Sequence, residues 1–567
     1  MNNKIFTIKI SRFNGGSSHD LRIKDTRKFA ITKHFDALTF PHKLVPRVQS
    51  YLLNGEDKTF DIVKFLYAPA TSEGAGKYRL YGFAKTASLK GAVYLLDMDN
   101  ITGAWSKPAT AAYFDSGLSR SVPADGQDEK VFFYYKNYIY AWLNGRYLAR
   151  YDTTGAADWN DAYYDATAYT YLCQPVHHPS DDIAYFFHDN FVSKLDNTTW
   201  TAKILTLPAD LKIVAACPYG NYLAIACSSI DTNNSFSVVY LWDSDSSLAT
   251  LSERIDFGAG EIIHMVNLNN RIIVIQNGFC DKSFSGNSAK IYIKTISGQY
   301  GVILNELTTD ETGALDNLFF PTAGNFVRDN KLYFPMQLKL NGDSRLGIWV
   351  VDVNGNVSLD FIEAEATSYE GIYQVGNTWF IAHSDDGSTN TSYGTALSYS
   401  TTNPSIYESL IFNHDDVNIT KKLIGVSLSY EELYPVSGVA SAIGRIKLLY
   451  RKDTDLDGGS WTEIFDNTTI AAGSFEINKV YKIATVGTTD FTLIGASANT
   501  VGIIFTATGA GSGTGTALTN LMNKEAINIS GATLPQFQEI QFRIESYGGT
   551  AITGFKLKYE LTDKTVY

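Results

Sequence analysis

A short motif recurs along the chain: a polar pair, most often closing on Asn, with an apolar run directly behind it. Lys136-Asn137 precedes Tyr138-Ile139-Tyr140, Asp189-Asn190 precedes Phe191-Val192, and Gly220-Asn221 precedes Tyr222-Leu223. Asn269-Asn270 precedes Arg271-Ile272, Asp329-Asn330 precedes Lys331-Leu332, and Gly376-Asn377 precedes Thr378-Trp379. Gly76-Lys77, before Tyr78-Arg79-Leu80, reads as a degenerate first copy. Gly, Asn and Asp tolerate positive φ at little cost, so such pairs predict tight hairpin turns. Positions 77, 137, 190, 221, 270, 330 and 377 are separated by 60, 53, 31, 49, 60 and 47 residues, a mean of 50. That is close to the ~40–50-residue period of propeller blades. The expectation is an all-β chain whose residues 67–415 form a β-propeller of about seven blades, with six or eight left open. The 31-residue step predicts a blade that is reduced or borrows a strand.

The flanking segments read differently. Residues 1–66 form an N-terminal arm in which Phe6, Ile8 and Ile10 alternate as on one face of a strand. Residues 61–67 (DIVKFLY) read as the first propeller strand. The arm is expected either to close the ring or to grip a neighbour. Past the repeats, alternating runs at 422–429, 445–450, 461–465, 525–529, 539–546 and 554–560 predict a six-stranded β-sandwich built from 416–470 and 519–567. Between its halves, residues 471–518 are rich in Gly, Ala, Ser and Thr and predict a small β module inserted into a loop, with short strands at 480–483 and 503–506.

Composition agrees with sheets. The chain has 35 Tyr and 32 Phe against 14 Pro, and its polar positions fall to Ser, Thr, Asn and Gly because only 19% of residues are charged. A net charge of −12 argues against tight, sequence-independent binding to nucleic acid, which needs clustered Lys and Arg. The four cysteines, at 173, 217, 227 and 280, form no CxxC pair and read as buried free thiols. The first residues lack the long apolar stretch of a secretion signal, and no apolar run approaches the ~20 residues of a membrane span. A soluble protein made in the cytoplasm is expected.

The inserted module closely resembles a short element found in structural proteins of many tailed bacteriophages. The likeness is carried by Thr488-Thr489-Asp490-Phe491-Thr492, Ile494-Gly495-Ala496 and Phe505-Thr506-Ala507-Thr508-Gly509. An arm with Phe13-Asn14-Gly15-Gly16, then a propeller, then a sandwich also looks like tail proteins of such virions. The resemblance implies a non-enzymatic structural subunit of the virion, assembled in the bacterial host's cytoplasm. It implies other virion proteins as partners, a ring-forming homo-oligomer, and passive contact with passing DNA. A receptor- or glycan-binding spike that meets host-surface glycans is the alternative, and a glycan-cleaving propeller is a third reading.

Candidate chemistry is sparse. Asp453-Thr454-Asp455-Leu456-Asp457-Gly458 matches the start of a calcium loop, in which alternate carboxylates converge on one hard cation. Ile464 stands where the closing Glu belongs, so a polar hairpin is the competing reading. Asp457-Gly458-Gly459-Ser460-Trp461 has the look of a glycosidase Asp-box hairpin, but it occurs once and outside the repeats. His177-His178 with Asp181-Asp182 suggests a metal cluster, yet adjacent residues of a strand point to opposite faces. Tyr163, Tyr164, Tyr169 and Tyr171 could stack on sugars or simply pack. Residues 509–515 (GAGSGTG) lack the strand–turn–helix context of a phosphate loop and read as a flexible connector. No catalytic or cofactor residues are assigned, and no cofactor is expected.

Overall fold

The computed structural model describes residues 5–18, 21–22, 25–47, 50–52, 60–70, 76–86, 91–96, 131–143, 146–154, 159–165, 169–231, 235–245, 253–278, 288–312, 324–340, 343–362, 368–385, 388–394, 404–413, 418–431, 445–457, 459–466, 469–519, 527–529 and 534–562. Cys280 and Gly458 lie outside them. The fold is all-β: among the described residues there is no α-helix, only two short 3₁₀ turns. The chain divides into two compact units, one of Met1–Gln49, Asn356–Ile362 and Thr395–Tyr567, the other of Ser50–Gly355 and Glu363–Gly394.

The larger unit is a succession of antiparallel meanders. The first is Phe60–Pro69, Tyr78–Thr86 and Gly91–Leu96; the second is Phe132–Tyr135, Tyr138–Leu143, Tyr147–Asp152 and Trp159–Asp165. The third is Val176–His178, Ile183–His188, Phe191–Asp196 and Thr199–Thr206. The fourth (Leu211–Tyr219, Tyr222–Ser229, Phe236–Trp242, Glu253–Ala259) and fifth (Glu261–Leu268, Arg271–Gly278, Ser288–Ser297, Tyr300–Thr312) join through one parallel bridge, Asp256 to Tyr300. Together they make a nearly closed eight-stranded sheet whose two end strands pack on each other. The sixth contains Phe326–Arg328, Lys331–Leu340 and Asp343–Asp352, and the seventh Ser368–Val375, Thr378–Asp385 and Ser388–Gly394. Ser50–Leu52, which precedes every other strand of the unit, pairs with Ser388–Gly394 in the last meander. The opening strand Phe60–Pro69 packs on Ser368–Val375.

The turns form as their residues dictate. Lys136-Asn137, Asn269-Asn270 and Asp329-Asn330 hold positive φ at both positions, as a two-residue hairpin with the right twist requires. Gly220 and Gly376 hold it at the first. The Asp189-Asn190 turn differs in phase. It joins the second and third strands of its meander, whereas the others join the first and second. The equivalent turn there runs through Asp182 (φ 56) between Val176–His178 and Ile183–His188. The short 31-residue step is therefore a change of phase, and the expected reduced or strand-borrowing sheet is corrected: this meander keeps four strands.

Second strands such as Tyr222–Ser229 are buried at seven consecutive positions instead of alternating. That strand is covered on both faces by neighbouring meanders. Tyr185, Phe187, Leu223, Ile225 and Trp242 share one core between the third and fourth meanders, and Ala224, Val239, Ile262 and Val274 another between the fourth and fifth. Each such apolar side chain contributes ~1.5–3 kcal/mol on burial.

In the smaller unit two sheets share a core that includes Ile10, Phe13, Leu428, Phe542, Ile544 and Leu557. One sheet orders Ile5–Ile10, Ile552–Leu561, Lys421–Tyr430 and Ile527–Ile529; the other orders Ile31–Lys33, Ser405–Glu408, Ile540–Tyr547, Arg445–Lys452 and Thr462–Asp466. N-terminal residues supply a strand to each sheet. Arg47 anchors the same segment: its guanidinium donates to Asp360 and lies 3.4 Å from Asp36. The inserted stretch forms its own four-stranded sheet, ordered Thr469–Ala471, Thr516–Thr519, Val480–Thr485 and Ile504–Thr506, around Phe475, Tyr481, Phe491 and Phe505.

Candidate functional site

In the larger unit, a cavity of about 470 Å³ is lined by residues of seven segments, each at or beside the first strand of one meander. Among them are Lys64, Phe133, Gln174, Ala216, His264, Phe326 and Tyr373. The first strands of four meanders carry a β-bulge near the cavity: Val63, Val214, Ile263 and Glu370 are each skipped in the pairing with the strand behind. A bulge bends its strand and re-aims the next side chain. The residues that follow are Lys64, Ala215, His264 and Gly371. Lys64 and His264 bring nitrogen-bearing side chains to the cavity, and the small Ala215 also lines it. Gly371 sits at a crowded point, since the neighbouring Gly324 places its own α-carbon face directly against the Glu370 carbonyl.

The electrostatics of this cavity run opposite to those of the whole chain. Its polar described lining consists of Lys64, Gln174, His177, His264, Asn267 and Asn325, and it contains no carboxylate. Lys64 is 5% exposed, and burial pulls its ammonium down to about 7. Asn325 Nδ2 lies 3.1 Å from His264 Nδ1, which makes that ring nitrogen an acceptor and leaves Nε2 as the protonated one. Asn267 Nδ2 donates to the Pro218 carbonyl at 2.9 Å, while its buried Oδ1 has no partner. His177 Nε2 is tied to Asp182 at 2.8 Å. Cys173 and Cys217 are free buried thiols, and burial pushes Cys217 up to about 12, so neither the spacing nor the environment suits a nucleophile. The described lining holds no pair of acids of the kind glycoside hydrolysis uses.

Of the residues singled out from sequence, His177, Cys173 and Cys217 line the cavity, and the others lie elsewhere. Asp453–Asp457 forms a 3₁₀ turn in which Asp453 has φ 49. Asp453 Oδ1 accepts from the backbone of Gln538 (2.7 Å) and Glu539 (3.0 Å), so it caps a neighbouring strand entry instead of turning toward Asp455 and Asp457. Among the described residues no group of three His, Cys, Asp or Glu is placed to hold a metal ion. His177 is exposed and His178 buried, on opposite faces of their strand, and they converge on nothing. Tyr163 donates to the Thr198 carbonyl at 2.6 Å, Tyr164 packs on Trp200, Tyr169 stacks on His188 at 3.8 Å, and Lys212 lies over Tyr171. All four tyrosines are engaged in packing.

The glycine run at 509–515 is not a connector, contrary to expectation. Gly511 and Gly513 hold positive φ, and Gly515 N donates to Thr489 Oγ1 at 2.8 Å. A Cβ on Gly515 would stand 2.5 Å from the Val486 carbonyl. The run is a fixed surface segment of the inserted module, anchored where Gly515 packs against Val486 and Thr489. Sequence reasoning missed Lys64 and His264, and the available signal was faint: paired β-branched residues (Ile62-Val63, Ile213-Val214, Ile262-Ile263) that break the alternation of three first strands.

No family model matches the chain, and no curated protein does. Among solved structures, the computationally designed Ika8 protein is similar at 12% identity and a TM-score of 0.35, over 64% of this chain and 96% of that one. The extracellular domain of a hybrid two-component system from B. thetaiotaomicron is similar at 9% identity and a TM-score of 0.38, over 70% of this chain and 45% of that one. Both likenesses are too loose to define the fold.

Proposed function

We propose that the seven meanders are blades of a closed propeller, and that the chain is a structural subunit of a tailed-bacteriophage virion, placed in the tail and assembling as a ring. The observation that carries the second part is the inserted module. Its motif residues are the ones that build it. Asp490 caps the turn Phe491–Ile494 by accepting from Thr492 N at 3.0 Å, Gly495 closes that turn at φ 104, and Phe491 and Phe505 meet in its core at 5.4 Å. The closed ring is supported by the packing of Phe60–Pro69 on Ser368–Val375, by Ser50–Leu52 completing the last sheet, and by the cavity shared among seven first strands. A ring of sheets buried face to face is a stiff body suited to assembly, and head-to-tail contacts between copies close into larger rings.

The test is compositional. Purified virions of the phage that encodes this chain should contain it in fixed copy number by quantitative mass spectrometry, and the purified chain should form a discrete oligomer by native mass measurement. Virions that lack the chain refute the assignment.

A further inference from the structure

We propose that the outward face of the sheet containing Ile5–Ile10 is a docking site for a short acidic segment of a partner protein. The inference is independent of the virion role and rests on the smaller unit alone. Ile10, Val426, Leu428, Phe555, Leu557 and Tyr559 turn toward the shared core, so the residues that alternate with them point the other way. Register places Lys9 directly across from Lys556, and Lys558 stands two residues further along the same strand. Lys9 and Lys558 are exposed, and Lys556 is half-buried. Like charges directly opposite on one face of a sheet destabilise it. Among the described residues these three ammonium groups meet no carboxylate. Other cations of the unit are matched: Arg22 meets Glu539, Lys43 meets Glu431, Arg445 meets Asp466 and Arg543 meets Glu408.

Charge complementarity selects the partner. The chain as a whole carries −12, yet this face gathers three lysines, with Lys422 further along. Among the described outward positions of the three strands the one acid is Glu560, which lies across from Ile5 and Lys422, at the end away from Lys9. The positions around the lysines are Thr7, Gly425, Ser427 and Gly554, none charged and none large enough to cover an ammonium group. Residues two apart in a strand stand ~7 Å from each other and directly opposite ones ~5 Å, so the three charges fit a segment that presents two or three carboxylates within that reach. A nucleic acid fits less well. It carries one charge per ~1.7 Å along a rod, which the rest of an acidic chain repels, and the face offers no arginine fork for phosphate. An acidic segment of a few residues meets only the local charge.

The probe is a peptide of about eight residues alternating Glu with Ser, labelled with an uncharged dye and titrated with the full chain by fluorescence anisotropy at about 50 mM salt. Its comparators are the Lys–Ser counterpart and a duplex DNA of about 20 base pairs. The acidic peptide is expected to reach half-saturation below about 1 mM, at least about tenfold tighter than the basic one, and to lose about tenfold on raising salt to about 500 mM. Exposed ion pairs are individually modest, so the triple variant Lys9→Gln, Lys556→Gln, Lys558→Gln should weaken the peptide at least about fivefold, and Lys558→Gln alone about twofold. No binding of the acidic peptide up to about 1 mM, equal binding of the basic one, or unchanged affinity in the variants overturns the proposal. DNA bound more tightly than the peptide overturns it in favour of a phosphate backbone, and salt-sensitive self-association lost in the variant overturns it in favour of a second copy of this chain. The probe comparison and the salt dependence need no variant, so they decide the matter even if the triple variant fails to fold.

Discussion

The inserted module and the hub of the larger unit are both β structure, but they are specified in opposite ways. In the module, nearly every determining contact is local. Within about fifty residues, Thr488, Thr489 and Thr514 bond across two turns, and four aromatic rings fill the core. The cavity of the larger unit is lined by residues as distant as Lys64 and Tyr373, and two of its polar groups, Lys64 and His264, follow bulges in separate strands. The module therefore tolerates little change in backbone geometry. The hub should tolerate changes of side chain, with the consequences appearing in protonation instead of in folding.

The sharpest way to break this contrast is at Gly495. Its φ is 104, and a Cβ there would lie 2.3 Å from the Thr506 carbonyl. Gly495→Ala should destabilise the module by ~3 kcal/mol or more, seen as new protease cleavage within 469–519, while the larger unit's unfolding transition stays in place. Gly76→Ala is the control: φ is also positive (77), but nothing stands within 4 Å, so the loss should be only ~1–2 kcal/mol.

Lys64→Met tests the other side. The folded chain holds this ammonium at about 7, against an unfolded value near ~10.4. Below pH 7 both states are protonated, and the burial penalty is fully felt. Between 7 and about 10 the unfolded chain keeps the proton and the folded chain does not, so stability rises with pH by up to ~1.4 kcal/mol per unit. Denaturant titrations across pH 6–10 should show Lys64→Met to be the more stable protein at pH 6 and should lack this slope.

Asp490→Ala removes the cap of the module's 3₁₀ turn, where Oδ1 accepts from both the amide and the hydroxyl of Thr492. A loss of ~1 kcal/mol is expected in thermal unfolding of the module. The smallest effect belongs to Asp455→Asn, in the acidic turn. Stability should move by less than ~0.5 kcal/mol, and added calcium should shift the melting temperature of neither protein.

The same contrast explains what could be read from sequence. Asn137, Asn270, Asn330 and Gly376 announced their turns because positive φ is a property of a residue and its immediate neighbours. Strands such as Arg445–Lys452 followed from alternation for the same reason. Phase was less legible: Asp189-Asn190 looks like the other turns but closes a different hairpin, because any two-residue turn can join any adjacent pair of strands. The glycines at 509–515 signalled freedom in isolation, yet packing against Thr489 and Val486 fixes them. Nothing in the neighbourhood of Lys64 marks it as a hub residue. Its role depends on a skipped partner at Val63 and on strands from the far end of the unit.

The account depends most on the meanders closing into one ring around that cavity. Electron cryomicroscopy of the purified full-length chain tests this directly. It should resolve seven sheets arranged radially about a single axial cavity, with Phe60–Pro69 seated against Ser368–Val375. An open arc with a gap between those two strands, or sheets that share no axis, would contradict it.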